Sequence, residues 1–396
     1  MAKPQHLLIL SHACVTAINQ QFFAEIAAVT GWRVTIIVPR SWRNDYGKVV
    51  QPQRWNSFTG QIIEIPVWLS GNIPLHTYQA WFGGLLQKLQ PDLIYAHHEP
   101  YGIATFQLYL ANYLTIKRPI AYFTWQNLLK NYPFPFRQTE QFVYRHSTLG
   151  FPGSQSALDV LRQKGFTKEC VILPAGIDPE LYAPSAAAEL AQGLRSHPDE
   201  VLIGYLGRIV EEKGLHTLLI ALAKLNQDAD FSVPWRLVMV GAGNYEAQFD
   251  QLAQDLGLTA QISRLGFVPH TAAPQYLAAF DLLMIPSETR ANWKEQFGRV
   301  IIEAMACGTP VLGSTSGEIP HLIGATEGGL TFKEADPDAL ASQLRRLLSD
   351  AQLRQTLAHQ GRSNVYANYT HQALAKRFVD GFIGAIEGGE GDFHRK

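Results

Sequence analysis

The feature that most limits how this chain can fold is an alternation, run twice, of short continuous apolar stretches with segments of helical periodicity. A strand that is apolar at every residue has no solvent-facing side. It belongs in a parallel sheet whose two faces are both covered by helices. In the first series His6–Leu10, Arg33–Val38, Ile62–Val67, Asp92–Ala96, Pro119–Thr124, Thr148–Phe151 and Val171–Leu173 read as strands. Helices are expected over Thr16–Thr30, with Phe22, Phe23, Ile26 and Ala27 on one face, and over Tyr78–Leu89, where Trp81, Phe82, Leu85, Leu86 and Leu89 recur at helical spacing.

The stretch Pro174–Pro198, which contains PAGIDPELYAPSAAAE, breaks the pattern and reads as a linker. The second series then runs strand Val201–Leu206, helix Leu215–Leu225, strand Arg236–Val240, helix Tyr245–Leu256, strand Ile262–Phe267, helix Ala272–Ala279, strand Leu282–Ile285, a helix near Gly298–Ala306, and strand Pro310–Gly313. Helices over Pro337–Ser349, Asp350–Ala367 and Thr370–Ile386 close it. A chain of 396 residues is too long for one core. The expectation is an α/β protein of two doubly wound Rossmann-like domains, residues 1–180 and 181–369. A helix over 370–387 crosses back to the first domain, and a Gly/charged tail, 388–396, is without structure. Ligands of such sheets bind outside the carboxyl ends of the strands, so a central cleft faced by both domains is the natural site.

Composition narrows the partners. Hydrophobic residues are 46% and charged residues 17%, as in folded globular chains. The formal net charge of −1 gives no global pull toward nucleic acid or an anionic membrane. Cys14, Cys170 and Cys307 form no CxxC and have no His at metal spacing, which fits reduced thiols. No apolar run approaches the roughly 18 residues of a membrane span, and Met1–Pro4 leads straight into LLIL without a signal-peptide pattern. A cytoplasmic protein is expected. Aromatic residues in Asn131–Arg137 and the Trp81/Phe82 face are candidates for weak peripheral contact with the inner membrane face or a lipid-linked acceptor, with core packing and a rigid Pro turn as the plainer reading.

Three stretches carry chemistry. GYLGRIVEEKG, Gly204–Gly214, ends a strand and opens a helix, and puts Arg208 and Lys213 where both can reach one anion. Two solvated loop charges are the bland alternative. In KEQFGRVIIEAMACGTPVLG, Lys294–Gly313, Gly298 stands at a helix start, where free N–H groups suit a phosphate. Glu303, in the helix, can accept from a pair of ribose hydroxyls, and Glu295, before it, from sugar hydroxyls. SGEIPHLIG, Ser316–Gly324, closes the loop after the following strand.

On these residues, Gly204 to about Leu348 resembles the donor-binding domain of the retaining GT-B glycosyltransferases of family 4. The resemblance implies that Arg208 and Lys213 bind the donor diphosphate, that Glu295 and Glu303 of its E-x7-E motif meet the transferred sugar and the ribose, and that backbone contacts fall on Phe297 and Gly298. Pro174, Gly176 and Asp178 resemble the family's strand-exit signature. In YAHHEPYG, Tyr95–Gly102, the family's strand-end His near the transferred sugar corresponds to His98, with His97 as alternative. The loop Ser11–Asn19 lacks the usual glycine pair, and the loop after Tyr122–Thr124 reads WQN where relatives carry His. His12, Asn19 and Gln126 are the acceptor-side candidates, and His12 and Asn19 read equally as capping residues.

The implied reaction moves a UDP- or GDP-linked hexose onto a glycan, glycolipid or small-molecule hydroxyl with retention. Glu295, Arg208, Lys213 and one of the two histidines are the catalytic set. Retention ordinarily suggests a carboxylate nucleophile, whereas the resemblance implies attack on the face the phosphate leaves. With no DxD-like pair on a strand-end loop, the two cations are expected to meet the leaving-group charge, with no metal or other cofactor. Closing of the two domains would exclude water from the donor. A GT-B epimerase or phosphorylase and a non-catalytic sugar-nucleotide-binding protein are the rival readings. VGAGNYEA, Val240–Ala247, offers GxG between strand and helix, but lacks the third glycine and the later acidic residue that NAD binding needs.

Overall fold

The structure is a computed structural model that describes residues 5–44, 47–183 and 187–393. It divides into two compact units, Met1–Gly176 with His371–Lys396, and Ile177–Thr370. Residues 184–186 of the expected linker lie outside the described residues, and Ala188–Leu194 just beyond them form a short helix.

Unit 1 contains strands β1 (His6–Leu10), β2 (Arg33–Pro39), the short pair β3 (Trp42–Arg43) and β4 (Val49–Val50), β5 (Gln61–Ile65), the short pair β6 (Val67–Trp68) and β7 (Thr77–Tyr78), β8 (Leu93–Ala96), β9 (Ile120–Thr124) and β10 (Leu149–Pro152). The main sheet runs β10-β9-β8-β1-β2-β5, with every pair parallel. Its strands other than the edge strand β5 are buried on both faces, and Leu7 to Leu10 are fully inaccessible. Helices α1 (Gln21–Thr30), α2 (Phe82–Leu89), α3 (Ile103–Leu114), α4 (Phe136–His146) and α5 (Gln155–Gln163) connect the strands.

Unit 2 contains α6 (Ala188–Leu194), β11 (Val201–Leu206), α7 (Leu215–Gln227), β12 (Trp235–Val240), α8 (Glu246–Asp255), β13 (Ile262–Gly266), α9 (Ala273–Ala279), β14 (Leu282–Ile285), α10 (Arg299–Ala306), β15 (Val311–Ser314), α11 (Ile319–Thr326), β16 (Gly329–Phe332), α12 (Pro337–Ser349) and α13 (Ala351–Asn368). Its sheet, β13-β12-β11-β14-β15-β16, is again all parallel.

In each sheet the strand order reverses once beside the first strand, between β1 and β8 and between β11 and β14. Loops leaving two such neighbours diverge to opposite sides and leave a crevice at the carboxyl ends. The loops after β11 and β14, and those after β1 and β8, are therefore brought side by side, although each pair is about 80 residues or more apart in sequence.

The last helix, α14 (His371–Phe393), belongs to unit 1. It extends beyond Ile386 into the Gly/charged tail, whose residues 394–396 lie outside the described residues. Its Phe378 ring stacks 4.7 Å from Phe151 and lies 5.0 Å from Tyr95. With Leu374, Ala375 and Phe382 it is buried in the unit 1 core. Each such aromatic contributes about 1.5–3 kcal/mol.

Several boundaries differ from the sequence reading. The helix expected from Thr16 begins at Gln21, because Ala13–Val15 and Ala17–Gln20 form tighter turns. Tyr78 belongs to β7, and α2 starts at Phe82. Phe82 is buried at 1% exposure while Trp81 is 57% exposed, so the two do not form one lipid-facing surface. In Asn131–Arg137 Phe134 projects at 80% exposure. Val171–Leu173 is not a separate strand, although Val171 and Leu173 donate backbone N–H groups to Gly150 and Pro152 at the β10 edge. Among the described residues no helix is long and apolar enough to cross a membrane.

Candidate active site

A pocket of about 240 Å³ opens at the β11/β14 crevice of unit 2. Its walls include Gly207 and Arg208 from the loop after β11, Lys213, Ser287 and Glu295 from the loop after β14, and Gly298 and Arg299 at the start of α10. Lys213 Nζ lies 2.6 Å from Glu295 Oε2, and both side chains are largely withdrawn from water. The same oxygen accepts from Ser287 Oγ at 3.0 Å, and the ammonium sits 4.9 Å from the centre of the Trp293 ring. Two charges in that setting hold each other's position more strongly than at an open surface. The Arg208 guanidinium is looser, 3.8 Å from Glu212, with a side chain 67% exposed. A cation left in that state is ready to meet an incoming anion.

Gly298 adopts φ +75°, in the left-handed region, as the N-cap of α10. A Cβ there would meet the Ile301 side chain at 2.9 Å. Glycine thus sets the sharp entry that presents the first-turn N–H groups of α10 to the pocket. Glu303 is carried on the second turn of α10, buried to 5% exposure, with Oε1 2.8 Å from Arg299 Nε. That contact is an ion pair without hydrogen-bond alignment. Phe297 is also buried. Of the donor-side residues chosen from the sequence, Arg208, Lys213, Glu295 and Gly298 share the pocket wall, whereas Phe297 and Glu303 lie outside it.

Glycine packing holds this wall in place. Gly317, in SGEIPHLIG, has φ +54°, and a Cβ would stand 2.1 Å from the Glu295 carbonyl oxygen. Glu318 N–H donates to that carbonyl at 3.1 Å. This tract, which runs on into α11, buttresses Glu295 from behind. The GxG of VGAGNYEA has a similar role, since added Cβ atoms at Gly241 and Gly243 would lie 1.9 and 2.0 Å from the carbonyl oxygens of Gly207 and Ile209. Those glycines let β12's loop press against the Arg208 loop, which accounts for them without a dinucleotide.

Sequence reasoning passed over Ser287, Trp293 and Glu288. Glu288 is buried between Thr217 Oγ1 at 2.5 Å, His216 Nε2 at 3.2 Å and Arg290 at 3.1 Å. The only available signal was PSETR directly after a strand at the sheet's reversal point.

In unit 1 the β1/β8 reversal joins the acceptor-side candidates. His98 is 3% exposed, and its Nε2 lies 3.1 Å from His12 Nδ1 and accepts the His12 backbone N–H at 3.2 Å. His97 Nδ1 is 3.2 Å from Ser11 Oγ, with its ring among Tyr95, Phe123 and Phe23. Burial lowers the pKa of His97 to about 4 and that of His98 well below its usual range, so both are neutral at pH 7. Asn19 donates to the Ala13 carbonyl at 2.8 Å and lines a second pocket of about 240 Å³ with His12 and Trp42. Gln126 braces its own loop through Leu128 O and Tyr132 OH.

Glu99 was also passed over. It accepts from Thr124 Oγ1 at 2.6 Å and Trp125 N–H at 2.8 Å. Burial raises its pKa to about 7, against the pull of those hydrogen bonds.

Comparison with known proteins gives this architecture a class. Residues 187–364 match the glycosyl transferases group 1 family. The chain is 30% identical over 212 residues to the GDP-mannose-dependent alpha-(1-6)-phosphatidylinositol monomannoside mannosyltransferase of Mycobacterium tuberculosis, covering 52% of this chain and 54% of that one. It is also 30% identical over 189 residues to an uncharacterized glycosyltransferase of Methanocaldococcus jannaschii, covering 48% of this chain and 46% of the relative. The chain spans about half the length of these curated relatives. Among solved structures, sucrose-phosphate synthase from Thermosynechococcus elongatus superposes with TM-score 0.70 at 20% identity, covering 97% of this chain and all of that one. Anabaena HepE in complex with UDP gives 0.70 at 21%, covering 95% and 98%. The fold is GT-B, two parallel-sheet Rossmann-like domains.

Proposed function

We propose that the chain is a glycosyltransferase that transfers a hexose from a UDP- or GDP-linked donor to an acceptor hydroxyl of a glycan, glycolipid or small molecule. The observation that carries this reading is the pocket in which Lys213, Glu295, Arg208 and the glycine-led start of α10 converge. A UDP complex of a protein with the same fold and a GDP-mannose-dependent relative support the donor class.

Breaking the anomeric C–O bond builds negative charge on the departing diphosphate. Lys213, Arg208 and the α10 N–H groups are positioned to meet it, each at about 3–4 kcal/mol for a well-placed donor. In this reading the donor pocket needs no divalent ion. Glu295, already held by Lys213 and Ser287, accepts from hydroxyls of the transferred sugar. Phe297 adds a backbone contact, and Glu303 reaches the ribose once Arg299 turns to the phosphate. Retention, and a sugar contact by His98 or His97, rest on the family resemblance alone.

The test is a panel of nucleotide sugars and acceptors, read as release of nucleoside diphosphate. Release that depends on an acceptor supports transfer. Acceptor-independent epimerisation, or release of a sugar phosphate, would point to another chemistry on the same scaffold.

A further inference from the structure

Beneath the second pocket lies a group of side chains that the donor pocket does not include. His12, His76 and His98 each offer one ring nitrogen, and these three atoms lie within 4.8 Å of one another. They come from three separate loops: the one after β1, the one before β7, and the one after β8. His76 is fully buried and His98 nearly so, while His12 borders the pocket. The Trp42 ring closes one side, 4.8 Å from the His12 ring and 4.9 Å from the His76 ring.

The proton positions make this an unusual arrangement. His76 Nδ1 faces two backbone carbonyls, Asn72 O at 3.1 Å and Ile73 O at 3.0 Å, so the hydrogen sits on Nδ1 and donates to them. Its Nε2 is left as a bare lone pair, buried and without a hydrogen-bond partner. Between His12 and His98 the ring nitrogens stand 3.1 and 3.3 Å apart. A buried acceptor without a donor costs about 1–3 kcal/mol.

We propose that His12, His76 and His98 form a binding site for a transition-metal ion of the zinc class, with its remaining coordination position open to the pocket beside His12. Neutral imidazole nitrogen suits zinc, copper, nickel and cobalt ions, and disfavours magnesium and calcium, which take oxygen. Tetrahedral Zn–N bonds of about 2.0–2.1 Å place ligand nitrogens roughly 3.3 Å apart, so the widest separation here needs to close by somewhat more than 1 Å. The Nδ1 atoms of His12 and His98 already stand at that spacing, 3.3 Å apart. The carbonyls of Asn72 and Ile73 act as the outer partners that orient a metal-ligating His and fix its tautomer. Three neutral ligands plus an open position is the pattern of sites that retain water or a substrate oxygen. Bound metal would tie the three loops together and stabilise unit 1. The inference does not rest on the donor reading, and it assigns His98 to the ion rather than to the sugar.

The test is titration of the full chain, stripped of metal, with Co²⁺ and Zn²⁺. Expected are one ion per chain, intense visible d–d bands of four-coordinate cobalt displaced by zinc, and a rise of several degrees in melting temperature. His76→Gln and His98→Ala lose the bands, whereas the surface variant His359→Ala keeps them. In the unmutated chain, X-ray absorption at the zinc edge should give three imidazole nitrogens, which keeps the test decisive if a cluster variant does not fold. No ion retained, bands that survive both cluster variants, or a zinc edge without imidazole would overturn the proposal.

Discussion

Replacing Lys213 with Ala removes the ammonium from the Glu295 carboxylate, a contact of 2.6 Å between side chains 18% and 12% exposed. Two effects should separate. The first is stability. Glu295 keeps Ser287 Oγ at 3.0 Å but loses its counter-charge, and a partly buried carboxylate in that state costs about 2–3 kcal/mol, below the 3–5 kcal/mol of a fully buried pair. The second is ligand affinity. Loss of one charge-assisted contact to a diphosphate is worth about 1.5–3 kcal/mol, a roughly 10- to 150-fold rise in the Kd for UDP or GDP. Calorimetric titration of nucleotide and urea unfolding of Lys213→Ala, Glu295→Ala and the double variant read both. Glu295→Ala should destabilise the fold yet leave nucleotide affinity within a few-fold, because its assigned partner is the sugar. The double variant should be less destabilised than the sum of the singles by about 1 kcal/mol or more, since its partners touch. If Lys213→Ala bound nucleotide as tightly as the parent, the assignment of this lysine to the diphosphate would fail.

Other expectations follow from the same geometry. Gly241→Ala, with φ +135° and a Cβ 1.9 Å from Gly207 O, should cost more than about 2 kcal/mol and weaken nucleotide binding by displacing the Arg208 loop. Gly257→Ala, at φ +70° in open space, should cost only the backbone term of about 1–2 kcal/mol and leave binding intact; equal effects in thermal melts would refute the packing argument. Glu99, with its folded pKa raised from 4.5 to about 7, contributes stability that is complete below 4.5 and lost as pH rises through 7, up to about 3 kcal/mol. Glu99→Gln should therefore lose less stability than the parent between pH 5 and 8, and an unchanged pH slope in denaturant melts would contradict the raised value.

The sequence was most legible where local signals agreed. Val201–Leu206, Leu282–Ile285 and Pro337–Ser349 have the bounds read from the pattern. In α12 the reason is local, since Asp336 caps the Ala339 N–H at 3.0 Å and Pro337 sits in the first turn. α3 was missed because IATFQLYLANYL is apolar on more than one face, and it is buried on both sides of a core helix. α11 was hidden by the glycine and proline of SGEIPHLIG, although Pro320 stands at the helix start, where proline is tolerated. Arg208, Lys213, Glu295 and Gly298 were visible as two motifs, but their meeting in one pocket depends on β11 lying beside β14. His76 carried no signal at all. Its spacing from His12 and His98 matches no metal motif; the β1/β8 pairing brings those two rings together, and the loop before β7 adds the third.

The central claim is that the unit 2 pocket holds the diphosphate of a nucleotide sugar. A crystal soaked with UDP or GDP tests it directly. Phosphate oxygens are expected within hydrogen-bond reach of Lys213, of the Arg208 guanidinium and of the N–H groups at the start of α10. Nucleotide bound elsewhere, with this pocket holding solvent, would contradict it.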